Sequence, residues 1–201
     1  MTETPVKRLI ISLAIPTIIS MLVTGIYNTA DTYFVGRIST NATAAVGVVF
    51  PLMSIIQALG FFCGHGSGNY VSRKLGAGDM KEAREMAATG FVLAFIIGIT
   101  FSVTCLLGQR GLATLFGALP SIMEDTLSYM RIILIGAPFM MAQLVINNQL
   151  RFQGSALYAM IGLVSGAVLN IALDPLFIFT FGLGVSGAAL ATIISQLFSF
   201  I

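Results

Sequence analysis

Residues 169–192 read LNIALDPLFIFTFGLGVSGAALAT, and this stretch decides the class of fold. Two apolar runs flank the short turn FGLG, and a carboxylate, Asp174, stands inside the first run with apolar neighbours on both sides. Ionisable groups inside a membrane span are costly and usually functional. The stretch therefore indicates two consecutive membrane-spanning segments, the first with a functional carboxylate.

The composition extends this interpretation to the whole chain. Of the 201 residues, 57% are hydrophobic and 9% are charged, and the mean hydropathy is +0.96. Soluble domains contain about 25% charged residues, and a soluble fold of this length cannot hide so much apolar surface. The chain is therefore predicted to lie in the lipid bilayer. Its net charge of +2 is spread over short loops without a basic stripe, so no nucleic-acid partner is expected.

Six apolar segments predict an all-α, polytopic membrane protein in which one six-transmembrane-helix bundle occupies residues 1–201. The runs are too long for barrel strands of about 10 residues, and helices satisfy their own backbone polar groups in lipid. Short separators such as SRKLGAGDMKEARE (72–85) and GQRGLATLFGALPS (108–121) divide them. The last run reaches the end of the chain without a closing charge, so we expect one lobe of a larger bundle. The expected spans are 9–35, 43–71, 86–108, 121–149, 155–180 and 184–201.

Basic residues predict the orientation, because cytoplasmic loops are enriched in Lys and Arg. Only Arg37 and Arg110 fall on one predicted side, and Arg131 falls within the fourth span. The N-terminus is therefore expected in the cytoplasm. The opposite, cytoplasmic side carries Lys7, Arg8, Arg73, Lys74, Lys81, Arg84 and Arg151.

Two carboxylates fall within spans, at similar predicted depth. Asp31 lies about 33 Å along the first helix and Asp174 about 28 Å along the fifth, at 1.5 Å per residue. Both helices run outward, so both carboxylates are expected in the outer half of the membrane. Asp31 can also be interpreted as a solvated residue at the end of its helix.

Further polar residues are expected in the same layer. Asn170 precedes Asp174 by four residues and Tyr27 precedes Asp31 by four, so each pair shares a helix face. Tyr129 and Thr192 fall in the outer halves of two other helices. Such a layer can exchange protons at the carboxylates, or it can hold a sodium ion on carboxylate, amide and hydroxyl oxygens.

Two further features of the sequence concern a proline within the first helix and the absence of a metal-binding pattern. Pro16 lies within the first helix and is expected to bend it, either as a static kink or as a hinge. Apart from the possible sodium ion, no metal is expected, because the sequence has no cysteine or histidine pattern with ligand spacing.

The chain resembles the multidrug and toxic compound extrusion (MATE) transporters from about Lys7 to its end. The matching pieces occur in order: LAIPTIISMLVTGIYNTADTYFVGRI (13–38), AAVGVVFPL (44–52), SRKLGAGDMKEA (72–83), LRFQGSA (150–156) and LNIALDPLFIFTFGLGVSGAALAT (169–192). The family fold has two six-helix lobes, and this chain resembles the N-terminal one. The resemblance implies that a C-terminal lobe completes the transporter.

The resemblance also implies a function. Members export cationic, amphipathic or otherwise toxic small molecules across the inner or plasma membrane by antiport with protons or sodium, without a cofactor and without enzymatic activity. By the same resemblance, Pro16 matches a proline about which the first helix bends in some members. Asn147 matches a polar position of related transporters, although we expect it near the inner end of its helix. Asp31 and Asp174 would respond to the cation, Asn170 and Thr192 would complete that site, and Tyr27 and Tyr129 would line the adjoining cavity.

Two alternatives remain open. A flippase for lipid-linked precursors, from the wider related superfamily, would favour several arginines in its cavity, where only Arg131 is a candidate. An intramembrane aspartyl protease would need two carboxylates in contact, with a glycine-rich turn before the second. Ala172 and Leu173 precede Asp174 instead.

Overall fold

The structure, a computed structural model, describes residues 6–200. These residues form α-helices joined by short connections. A 3-10 turn (Pro120–Ile122) precedes α5, and a π-helical turn (Leu176–Thr180) follows α6. In chain order, the helices are α1 (Val6–Gly36), α2 (Thr40–Gly76), α3 (Met80–Leu107), α4 (Gln109–Leu115), α5 (Met123–Phe152), α6 (Ala156–Pro175) and α7 (Gly184–Phe200).

The predicted all-α membrane bundle is confirmed. Five of the described segments, those built on α1, α2, α3, α5 and α6, are long and apolar enough to cross a membrane. Helix α7 is apolar but shorter, with 17 residues. Together these six helices make the lobe, and α4 is a short additional helix between α3 and α5.

The helices extend beyond the apolar runs that predict them. Of the expected connection 72–85, only residues 77–79 lie outside helices. Asp79 caps α3 by accepting a 3.1 Å hydrogen bond from the backbone N–H of Glu82, and Lys74 forms ion pairs with both carboxylates. Charged residues end an apolar run in the sequence. A helix whose end is capped can nevertheless include those charged residues.

The predicted connection 108–121 also differs from expectation, because it contains α4. Ala113 on α4 and Ala118 after it are buried, and Leu112 and Phe116 pack against the hydrophobic core. These apolar contacts stabilise a helix too short to be stable alone.

Helix α5 is the centre of the lobe. Of its apolar stretch 67% is buried, against 11% for α1. It packs against α2, α3 and α7. Side-chain hydrogen bonds connect it to α3 and α2 at two heights along its length. Ser102 Oγ of α3 donates to the carbonyl of Leu134 at 2.6 Å, and Gln149 Nε2 donates to Ser67 Oγ of α2 at 3.0 Å. The remaining side of α5 faces the space that the site occupies.

Helix α1 is held differently from the others. It packs mainly on α6 and makes few contacts with α2 or α7. Many of its large apolar side chains are exposed, including Leu22 at 63% and Ile26 at 60%, as expected for a helix that faces lipid. This loose attachment leaves a space between α1 and the wall formed by α2, α5 and α7.

Close helix packing depends on glycine at the α3–α5 contact. A Cβ atom added at Gly98 would lie 2.6 Å from the Cα of Pro138, a backbone atom that cannot swing aside. Small residues let membrane helices approach closely. Gly98 therefore determines how tightly α3 lies against the central helix.

Replacing Gly98 with Ala is expected to destabilise the lobe by about 1–3 kcal/mol, the usual cost of overpacking. Thermal denaturation of the purified protein in detergent, followed by the loss of the monodisperse species, measures the change. Gly47→Ala is the matched control, since no atom lies within 4 Å of the added Cβ. A Gly98→Ala protein as stable as the Gly47→Ala protein would contradict this packing.

Candidate functional site

A cavity of about 230 Å³ lies between α1, α6 and the wall formed by α2, α5 and α7. Its lining is mixed, with amides and hydroxyls among apolar side chains. We call the end of the bundle that holds Asp31 and Asp174 the carboxylate end, and the end that holds Arg73, Arg84 and Arg151 the basic end. Of the predicted site residues, the cavity surface contains Tyr27, Asn147, Asn170 and Thr192.

The carboxylate end contains polar groups without partners. Asp174 is completely buried and Asn170 is 2% exposed. Both carboxylate oxygens of Asp174 and both polar atoms of the Asn170 amide lack a hydrogen-bond partner, as does the buried Oδ1 of Asp31. Buried polar groups are nearly always paired. These atoms therefore fit a site for a proton or for a hard cation that prefers oxygen ligands.

The two carboxylates lie close enough to interact electrostatically. Asp31 comes from α1 and Asp174 from the last turn of α6, two helices that pack against each other. Because like charges repel, a bound cation or proton stabilises this arrangement.

Tyr129 joins the carboxylates from α5. Its side chain lies near Asp31, Asp174 and Thr192. Tyr129 is 1% exposed and lies behind the cavity surface, next to Met53. The sequence predicts that both Tyr27 and Tyr129 line the cavity. Of these two tyrosines, the described lining contains only Tyr27. The phenol is instead part of the carboxylate layer.

The side chains of Thr192 and Asn147 both donate hydrogen bonds to backbone carbonyls. Thr192 Oγ1 donates to the carbonyl of Ala188 at 3.0 Å, so the lone pairs of its hydroxyl stay available for a cation. Asn147 Nδ2 donates to the carbonyl of Ala159 at 2.9 Å and so ties α5 to α6. Asn147 lies on α5 one turn before Arg151, toward the basic end.

Pro16 is buried in an unbroken α1. Its carbonyl accepts a 2.8 Å hydrogen bond from Ser20 Oγ. Proline cannot donate to the carbonyl of the residue four positions before it, which weakens the helix locally. Pro16 does not touch the cavity, although Ser20, one turn further along, does.

Sequence reasoning missed eight of the twelve polar residues in the described lining. Gln143 and Arg151 flank Asn147 at intervals of four residues, and Ser20 and Thr24 precede Tyr27 on the same face of α1. This helical spacing of polar residues within apolar runs is the signal that could have found them. The lining residues missed are Ser20, Thr24, Gln57, Gln143, Arg151, Ser195, Gln196 and Ser199.

The chain is similar to known transporters. The sequence pattern of the MatE family matches residues 16–176. The multidrug export protein MepA of Staphylococcus aureus (strain MRSA252) is 30% identical over 195 residues, which are 96% of this chain and 43% of MepA. The chain thus spans less than half the length of this relative.

Two solved structures share the fold closely. One is the outward-facing conformation of a multidrug resistance MATE family transporter of the MOP superfamily, with 38% identity and a TM-score of 0.92. The other is a MATE in the bent conformation, with 38% identity and a TM-score of 0.90. This chain covers 43% of each, and 96% of it is aligned. On its sequence, its bundle and its cavity, this chain belongs to the MatE family of multi-pass membrane transporters.

Proposed function

We propose that this chain is the N-terminal lobe of a cation-coupled antiporter that exports drugs or toxic organic compounds across the inner or plasma membrane. The main support for this proposal is that buried oxygens of Asp174 and Asn170 lack hydrogen-bond partners. They lie beside a cavity that is open enough for a small molecule. The similarity to a multidrug export protein supports the substrate class. A C-terminal lobe completes the transporter in this proposal, and the N-terminus lies in the cytoplasm.

The coupling ion is a proton or sodium in this proposal. Binding at Asp31 and Asp174 neutralises the carboxylate end, with Asn170 and Thr192 oxygens available to a sodium ion. A cationic drug in the cavity is attracted by the same negative charge, so ion and drug compete. Each bound species favours a different conformation of the lobe, which is what antiport requires.

Helix α1 is the moving part in this proposal. Its few contacts with α2 and α7 let it move while α5 stays packed, and Pro16 weakens it one turn before the cavity. Bending there brings Ser20, Thr24 and Tyr27 toward α5 and reduces the cavity, which expels the drug. A solved relative occurs in a bent conformation, which supports a bending motion as part of this proposal.

The alternatives fit less well. A flippase would favour several arginines in the cavity, but its described lining contains Arg151 and not Arg131, which is exposed elsewhere. For an aspartyl protease, Asp174 would have to follow a glycine-rich turn, whereas it lies within α6 just before a π-helical turn. Transport therefore explains the site better than proteolysis.

Replacing Asp174 with Asn in the complete transporter is expected to slow drug export at least about tenfold, since losing a charge-assisted interaction costs about 1.5–3 kcal/mol. Ethidium efflux from cells that lack their own multidrug exporters measures the rate. Glu85→Gln, which removes an exposed carboxylate from α3, is the control and is expected to export normally. Wild-type efflux by Asp174→Asn protein at equal membrane levels would refute the role of this carboxylate.

Drug and coupling ion are also expected to compete in binding. Raising sodium at constant ionic strength, or lowering the pH, should weaken binding of tetraphenylphosphonium to the purified transporter, because either change neutralises the carboxylate end. Equilibrium dialysis measures the affinity. In Asp174→Asn protein the same changes should have a smaller effect. An affinity that neither sodium nor pH alters would contradict coupling at this site.

A further inference from the structure

The cavity has opposite charges at its two ends. Asp31 and Asp174 lie beside one end, and Arg151 lines the cavity toward the other. Along α5 the lining runs from Met140 to Arg151, which is about 16 Å at 1.5 Å per residue. The proposed cation coupling uses the carboxylate end and gives Arg151 no role.

Arg151 differs from the other arginines whose side chains the structure describes. It is partly buried at the end of α5, and no carboxylate among the described residues lies within ion-pair distance. An arginine that served only to mark the cytoplasmic surface would be exposed, as Arg73 and Arg84 are. The exposed arginines are Arg37, Arg73, Arg84, Arg110 and Arg131.

A partly desolvated cation without a counter-charge is costly. The C-terminal dipole of α5 offsets about 0.3–1 kcal/mol of that cost. An anion offsets more, since the planar guanidinium binds carboxylate, sulfonate or phosphate through two parallel hydrogen bonds. The charge of Arg151 therefore points to an anionic group within the cavity.

The neighbouring lining fits an amphipathic ligand. Leu144 and Phe61 provide apolar surface beside Arg151, and Phe61 is fixed by stacking on His65 at 5.4 Å between ring centroids. Gln143 Nε2 is bonded to Ser199 Oγ at 3.0 Å, while its buried Oε1 has no partner. The cavity thus offers an apolar slot with one cationic end and an unpaired amide oxygen along it.

We propose that the basic end of the cavity is a recognition site for organic anions. Arg151 binds the anionic head of an amphipathic small molecule, and the apolar body of that molecule lies along Phe61 and Leu144 toward Met140. The inference rests on the proposed export function in that it uses the same cavity. It widens the substrate class from cations to molecules that carry an acidic group.

Three probes with one apolar body test this site: 1-pyrenebutyrate, 1-pyrenebutanol and 1-pyrenebutyl-trimethylammonium. The complete protein is placed in nanodiscs of zwitterionic lipid, and equilibrium dialysis against empty nanodiscs gives each affinity. Wild-type protein is expected to bind the butyrate more tightly than the alcohol. Arg151→Gln is expected to weaken butyrate binding about tenfold, the loss of one charge-assisted pair, and to leave the alcohol unchanged.

Two control variants separate this site from other effects. Arg84→Gln removes the same charge at the same end but outside the cavity, and butyrate binding should not change. Arg73→Gln removes a second exposed charge at that end, also outside the cavity, and should likewise keep butyrate binding. The two proposals are tested by different measurements. Drug efflux by the Asp174→Asn protein tests the export proposal, and probe binding by the Arg151 variants tests the anion site.

Charge reversal provides a second test. Arg151→Glu should reverse the preference, so that the trimethylammonium probe binds more tightly than the butyrate. The proposal is wrong if Arg151→Gln leaves butyrate affinity unchanged, or if it weakens all three probes alike. It is also wrong if Arg84→Gln weakens butyrate binding as much as Arg151→Gln does, because surface potential then explains the effect.

Discussion

In a bilayer a polar group finds its partner within the protein or has none, because lipid offers no hydrogen bonds. Most hydroxyls of this lobe follow that constraint by bonding to the carbonyl four residues back in their own helix, as Ser20, Thr24 and Thr192 do. The buried side-chain atoms without partners among residues 6–200 belong to Asp31, Asp174, Asn170, Gln143 and Gln109. All of these except Gln109 lie in or beside the cavity, so the exceptions to the constraint mark the site.

The constraint also explains the architecture. Polar ties that hold helices together are concentrated on α5, where Gln149 bonds to α2 and α3 and Asn147 bonds to α6. A central helix that supplies such ties is buried on most sides. The side left open faces α1, and the unpartnered groups gather there.

Much of the fold could be predicted from the sequence, since long apolar runs show where helices cross a membrane. Their ends could not, because Asp79 caps α3 and lets helices continue through charged residues. Asp31, Asp174, Asn170 and Thr192 could be placed in one layer by counting residues from each helix start. Arg151 could not be assigned to the cavity, because an arginine at a helix end usually extends into water and only packing shows that this one is partly buried. Tyr129 lay at the right depth, but which side of α5 it faces depends on the rotation of that helix.

The uneven attachment of the helices bears on how this protein can evolve. Side chains on α5 contact several helices at once, so most changes there disturb folding as well as the cavity. Helix α1 contributes Ser20, Met21, Thr24 and Tyr27 to the cavity while only 11% of its apolar stretch is buried. Under the proposed export function, substitutions on α1 can therefore alter which compounds are recognised at little cost to stability. In a population under selection by new toxins, α1 is the helix on which altered specificity should arise first.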